Sequence, residues 1–174
     1  MVHPPRCAAP PSLTELATTL RNLRRPWPQG WPGLPLVFQR AWQQLGLGSP
    51  RSGSRLHALK VFGLSVCEQV ERDGALRHAR EAEPAYHNLL HIADTLVCMT
   101  YLLKASAHVR VPGAHQPQVS ALALAIMAGH DFLHPGGSNS HPGEFESRAV
   151  RDLLPSMDSA GLFPADRDVL TNCI

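Results

Sequence analysis

Residues 119–129, VSALALAIMAG, together with the five that follow, His130-Asp131-Phe132-Leu133-His134, decide the fold. The run is apolar nearly all round and shows no strict alternation, so it reads as a helix from Pro117 to Gly129 buried at the centre of a helical assembly. Working outward, His87 to about Ala107 carries Leu90, Ala93, Leu96, Val97, Tyr101 and Leu102 at helical spacing, which predicts a long helix with a wide apolar surface. Leu56 to Val70 also places apolar groups three and four apart. Gly74 and Pro84 then bracket what reads as a short charged helix, Ala75 to Ala82. Further helices are expected over Leu36–Leu45, His141–Leu154 and Pro164–Ile174.

Near the start, Ser12-Leu13-Thr14-Glu15 has the form of a capping box for a helix from Leu13 to Arg24. Residues 24–35, RRPWPQGWPGLP, hold four prolines and two glycines. No helix crosses such a stretch, so it is a loop whose Trp27 and Trp31 fold back on the body. Residues 1–11, rich in Pro and Ala, are expected to be loosely ordered. No segment alternates long enough for a half-buried sheet, and the fold class is all-α. The expected division is a helical extension with its Pro/Trp loop over 1–54 and a compact multi-helix domain over 55–174.

A chain of 174 residues with 44% hydrophobic and 17% charged side chains is a folded domain of ordinary size. The net charge of +2 selects no class of partner. Arg6, Arg21, Arg24 and Arg25 cluster near the start, but no basic–aromatic interleaving points to nucleic acid. There is no leader-like start and no stretch of eighteen uninterrupted apolar residues, so neither export nor membrane insertion is expected, and the chain reads as cytoplasmic. Cys7, Cys67, Cys98 and Cys173 have no paired spacing and read as reduced thiols. The compositional outlier is histidine. Ten are present, and seven lie between His87 and His141.

Two segments carry these histidines into chemistry. Tyr86-His87-Asn88-Leu89-Leu90-His91 puts two imidazoles four apart, which on a helix is one face. At the end of the apolar helix stand His130 and Asp131, whose burial is costly unless they are paired or bind metal. Each segment alone has an ordinary structural reading: a chance His pair, and a helix terminus where His130 meets the dipole and Asp131 caps the next turn. Together, imidazole nitrogens and a carboxylate suit zinc, manganese or iron, with Asp131 able to bridge two ions that polarise a phosphoryl group. His87, one turn from a ligand, is placed either to deliver a proton or to serve structure.

YHNLLHIADTL resembles the His-Asn-x-x-His helix of class I 3′,5′-cyclic nucleotide phosphodiesterases of the HD type. HDFLHPGGSN is similar to their His-Asp-x-x-His-Pro-Gly-x-x-Asn segment. The resemblance spans about Tyr86 to Ile174. It implies that His91, His130 and Asp131 are metal ligands, that His87 is the general acid, and that His134 and Asn139 surround the ligands. Glu146 is an outside candidate for an acidic neighbour, against a solvated helix position. The cofactors expected are two divalent ions, zinc with magnesium or manganese. The family's further Asp ligand, purine-binding Gln and aromatic clamp have no counterpart here, and the last helix reads as stopping inside an element, which suggests a domain missing its C-terminal part. Asp152, Asp158, Asp166 and Asp168 read as solvated charges. His108, His115 and His141 read as exposed loop residues.

The expected function is metal-dependent phosphohydrolysis of a small nucleotide, cyclic AMP or cyclic GMP, by a metal-bridging hydroxide with His87 as acid. Alternatives are another HD-type nucleotidase, or a regulatory nucleotide-sensing domain that keeps the ligands without turnover.

Overall fold

The computed structural model describes residues 12–107 and 116–174; the expectations for residues 1–11 and for His108 and His115 lie outside these. The fold is all-α. Among the described residues seven helices follow in order: α1 Leu13–Arg24, α2 Leu34–Gln44, α3 Arg55–Ala79, α4 Leu89–Ser106, α5 Pro117–Gly129, α6 Glu144–Ser159 and α7 Pro164–Cys173.

α5 is central, as its composition demands: Ala121, Leu124, Ala125 and Ala128 are fully buried. It touches α2, α3, α4 and α7, and small residues on two of its faces admit these neighbours closely. α1 opens on the expected capping box, with Ser12 Oγ accepting from Glu15 N at 3.1 Å and Glu15 Oε2 accepting from Ser12 N at 2.7 Å. α2 follows Gly33, which has no side chain to cap it. Glu71 on α3 supplies the missing acceptor. Its carboxylate takes the Leu34 N–H at 2.6 Å and the Trp31 indole N–H at 2.9 Å, so one anion serves a helix N-terminus and holds the Trp/Pro loop against the body. Trp27 then sets its ring edge-on to Trp31, with centroids 5.7 Å apart.

Several helix bounds differ from those expected. The short helix expected after Gly74 does not exist separately, because α3 runs unbroken to Ala79. Gly74 marks a crossing: a Cβ there would lie 2.4 Å from Leu89 Cδ2, so its missing side chain makes room for the first turn of α4. The helix expected from His87 begins at Leu89, because Asn88 is its cap and accepts the His91 N–H at 3.1 Å. α6 begins and ends later than expected and contains Pro155. Buried Leu153 and Met157 hold it on either side of the proline, aided by Gln69 Nε2 donating to Ser156 Oγ at 2.8 Å.

Asp166 is likewise not a solvated charge. It is fully buried, and Arg55 donates Nε and Nη2 to its two oxygens at 2.7 and 2.6 Å. The pair ties α7 to the start of α3. Asp152, Asp158 and Asp168 are exposed as expected. Cys67 is buried, whereas Cys98 and Cys173 are exposed free thiols. α4 has the length and apolar composition of a membrane span, yet it packs on α1, α2 and α5 and carries His91, Asp94 and Lys104.

Gly63 shows how tightly α2 meets α3: a Cβ there would lie 2.3 and 2.5 Å from the buried Phe38 ring. Ala is the better helix former by about 1 kcal/mol, but the ring has nowhere to go. Gly63→Ala should therefore lose about 1–3 kcal/mol in urea unfolding, and Phe38→Leu in the same chain should recover part of that loss. At the other end of α3, Arg55→Met leaves Asp166 buried and unpaired and should cost about 3–5 kcal/mol. Asp166→Asn leaves only a half-exposed arginine without its anion and should cost clearly less, as thermal melts of the two variants will show.

Candidate metal centre

The site is built where two loops meet. After α5 the chain makes a tight turn, Phe132 N donating to Gly129 O at 3.1 Å. Leu133 then turns left-handed at φ 53°, which costs an L residue roughly 1–2 kcal/mol. Arg77 on α3 clamps that turn by donating to the carbonyls of His134 at 2.8 Å and Leu133 at 3.4 Å. Its own charge is met by Asp73 at 2.6 Å. Beyond it, Gly136 has φ +84°, and a Cβ there would lie 2.7 Å from Pro84 Cβ. Only glycine meets both requirements. Pro84 begins the loop that carries His87, and Asn88 Nδ2 donates back to the Pro84 carbonyl at 3.0 Å.

This apposition brings four ionisable groups together. His87 and His91 do not share a helical face as the sequence suggested, since His87 precedes the cap of α4. They converge nonetheless: donor atoms of His87, His91 and Asp131 all lie within 4.8 Å of one another. His91 Nε2, His130 Nε2 and Asp131 Oδ2 form a triangle with sides of 3.2, 3.1 and 3.3 Å. A tetrahedral zinc with bonds of about 2.0–2.1 Å needs ligand atoms about 3.3 Å apart. The triangle fits one face of that tetrahedron.

Hydrogen bonding decides which way the lone pairs face. His130 Nδ1 lies 3.0 Å from the Met127 carbonyl, which can only accept, so Nδ1 carries the hydrogen. In neutral His130 the lone pair is therefore on Nε2, which faces His91 Nε2 at 3.2 Å and lies 3.3 Å from Asp131 Oδ2. The hydrogen of a neutral His91 Nε2, 3.2 Å from His130 Nε2 and 3.1 Å from Asp131 Oδ2, can meet these lone pairs, and so can a proton on His130 or a metal ion. Protonation behaviour agrees: burial pulls His130 down, but the hydrogen bond and charge of Asp131 outweigh it and raise its pKa. Burial pushes Asp131 up, yet its contacts with His130, His91 and His87 hold its carboxyl far below the usual range. Asp131 stays ionised, and it accepts from His87 Nδ1–H at 2.9 Å. His87 thereby keeps Nε2 as its outward atom.

The remaining expected site residues lie around this set. The His134 ring stacks on His87 with centroids 3.9 Å apart, and its Nδ1 accepts from Gly136 N at 3.0 Å. Burial, and then the charge of His87, lower its pKa. Asn139 does not reach the donors. It accepts the Phe145 N–H at 3.1 Å in the first turn of α6 and donates to Glu146 at 3.2 Å. Glu146 is exposed, on the rim of a small cleft shared with His130, Asp131, His134 and Phe145. His141 is exposed. Sequence reasoning did not find Arg77, Tyr86 or Phe145. Tyr86, although exposed, lays its ring beside His87 and His91 at 4.9 and 4.5 Å, and its place directly before His87 was a signal. Arg77 had none, for it lies on a different helix 57 residues from His134.

Metal analysis after dialysis against zinc should show that His130→Ala, which removes one vertex of the triangle, retains only background metal. His134→Ala, which removes none, should lose no more than about tenfold in affinity.

Comparison of the chain with protein-family models, with curated proteins and with solved structures finds no match.

Proposed function

We propose that this protein is a metal-dependent phosphohydrolase acting on a small nucleotide, with a 3′,5′-cyclic nucleotide such as cyclic AMP or cyclic GMP as the favoured substrate. The observation that carries the reading is the His91–His130–Asp131 triangle, with His87 bonded to the same carboxylate oxygen. The resemblance of YHNLLHIADTL and HDFLHPGGSN to the cyclic nucleotide phosphodiesterases supports the substrate class.

His91, His130 and Asp131 would hold one divalent ion, zinc by the character of the donors. The hydrogen bonds among the described residues leave Asp131 Oδ1 unengaged, so this oxygen would serve a second ion, magnesium or manganese. Such ions supply Lewis acidity toward a phosphoryl oxygen and toward water. The chain's own residues supply the rest. Asp131 Oδ2 holds the Nδ1–H of His87, which leaves Nε2 as the ring atom that would deliver a proton to the departing oxygen. Arg77 fixes the turn on which Asp131 stands.

A second reading has its own observation, since His87 lies within ligand range of His91 and Asp131. As a fourth ligand it would close the site into a structural or sensing centre without turnover. One variant separates the two. The metal-loaded protein should hydrolyse cyclic AMP or cyclic GMP and lose that activity to a chelator, and His87→Ala should keep its metal while losing about 100-fold or more in kcat. If metal and turnover fall together in His87→Ala, His87 is a ligand; if the loaded wild type turns over neither nucleotide, the phosphohydrolase reading fails.

A further inference from the structure

His87 stands outside any helix, in the bend between Pro84 and the cap of α4, so its ring takes no orientation from a neighbouring turn. Its bond to Asp131 fixes one atom, Nδ1. A ring held at one atom still swings about that point, and Nε2 swings furthest. The largely exposed Tyr86 meets the His87 ring only edge-on at 4.9 Å, and the ring lying against its face is His134, at 3.9 Å between centroids and 31° between planes.

His134 is in turn held from behind. Phe145 meets it edge-on at 4.7 Å and 77°, the favourable arrangement for two aromatic rings. Phe145 lies apart from the apolar core, to which the other four phenylalanines fall differently: Phe38, Phe62 and Phe132 are buried in it, and Phe163 is exposed. Its backbone is fixed too, because Gly143 offers α6 no side-chain cap and Asn139 reaches from the loop to take the Phe145 N–H. The contacts run from Asn139 to Phe145, His134 and His87.

We infer that Phe145 is a positioning residue, which sets the plane of His87 through His134 and so aims Nε2 at the departing oxygen of the phosphodiester. This rests on the phosphohydrolase reading, with His87 as the acid. In that step water's oxygen bonds to phosphorus as the bond to the leaving oxygen breaks. The Nε2 proton passes to that oxygen, and a proton released by the water restores His87.

Misaiming an acid matters only where the leaving group needs a proton, so two substrates make the test. Cyclic AMP expels a ribose alkoxide; bis(4-nitrophenyl) phosphate expels a stable phenolate. In metal-loaded Phe145→Ala, kcat on cyclic AMP should fall about tenfold with KM little changed, while turnover of the nitrophenyl ester stays within about twofold of wild type. Phe145→Tyr, which keeps the ring, should recover the loss. Phe145→Leu, which keeps the volume without the ring, should not, and it replaces the alanine variant if that chain melts at the assay temperature. Equal loss on both esters, or no loss on cyclic AMP, in a folded and metal-loaded variant overturns the role of Phe145. A wild type that cleaves neither ester overturns the phosphohydrolase reading itself.

Discussion

One carboxylate oxygen organises this protein's chemistry. Asp131 Oδ2 is approached by three imidazoles from two stretches of chain, and an anion so placed is stable only while positive charge or hydrogen-bond donors face it. Neutral imidazole N–H donors from His87 and His91 meet that need, and so would a cation among the nitrogens. The close backbone contacts nearby serve that convergence. Gly74 lets Leu89 seat the first turn of α4, and Gly136 lets its loop lie against Pro84. Arg77 holds the left-handed turn at Leu133. Each is a point where a larger or neutral side chain would separate the loops.

α3 recurs in these arrangements. Arg55 at its start anchors α7, Gly63 admits Phe38, Glu71 caps α2 and catches Trp31, Gly74 admits Leu89, and Arg77 reaches the site loop. Its length follows from that work. A helix of 25 residues spans about 37 Å, enough to touch both ends of the assembly with one rigid element.

Periodicity made the helical elements legible, and the apolar run at α5 made its central position legible, because burial on every face leaves few alternatives. Capping chemistry gave the start of α1. What the sequence concealed were effects of distant partners. Gly74 reads as a breaker until Leu89, fifteen positions on, is seen to fill its space, and Asp166 reads as solvent-facing until Arg55 is found 111 residues away. In the site, the two segments and their resemblance to the phosphodiesterases led to the expectation that His91, His130 and Asp131 meet, and the structure does bring these three side chains together. The setting of His87 was not legible, since Asn88 served as a cap where the spacing suggested a helix interior. Phe145 was invisible for a related reason: a lone phenylalanine near a helix start looks like ordinary core.

The contact between Gly136 and Pro84 bears on how the centre would meet an ion. Two loops touching through a residue without a side chain bring the nitrogens and the oxygen together by contacts of the chain's own. The entropy of assembling them belongs to folding rather than to ligation. Under the proposed reading, such a centre would take an ion by size and charge without drawing distant ligands together. Metal would then add to the stability of an already folded chain in proportion to its free concentration, unlike small zinc domains whose fold appears only with the ion.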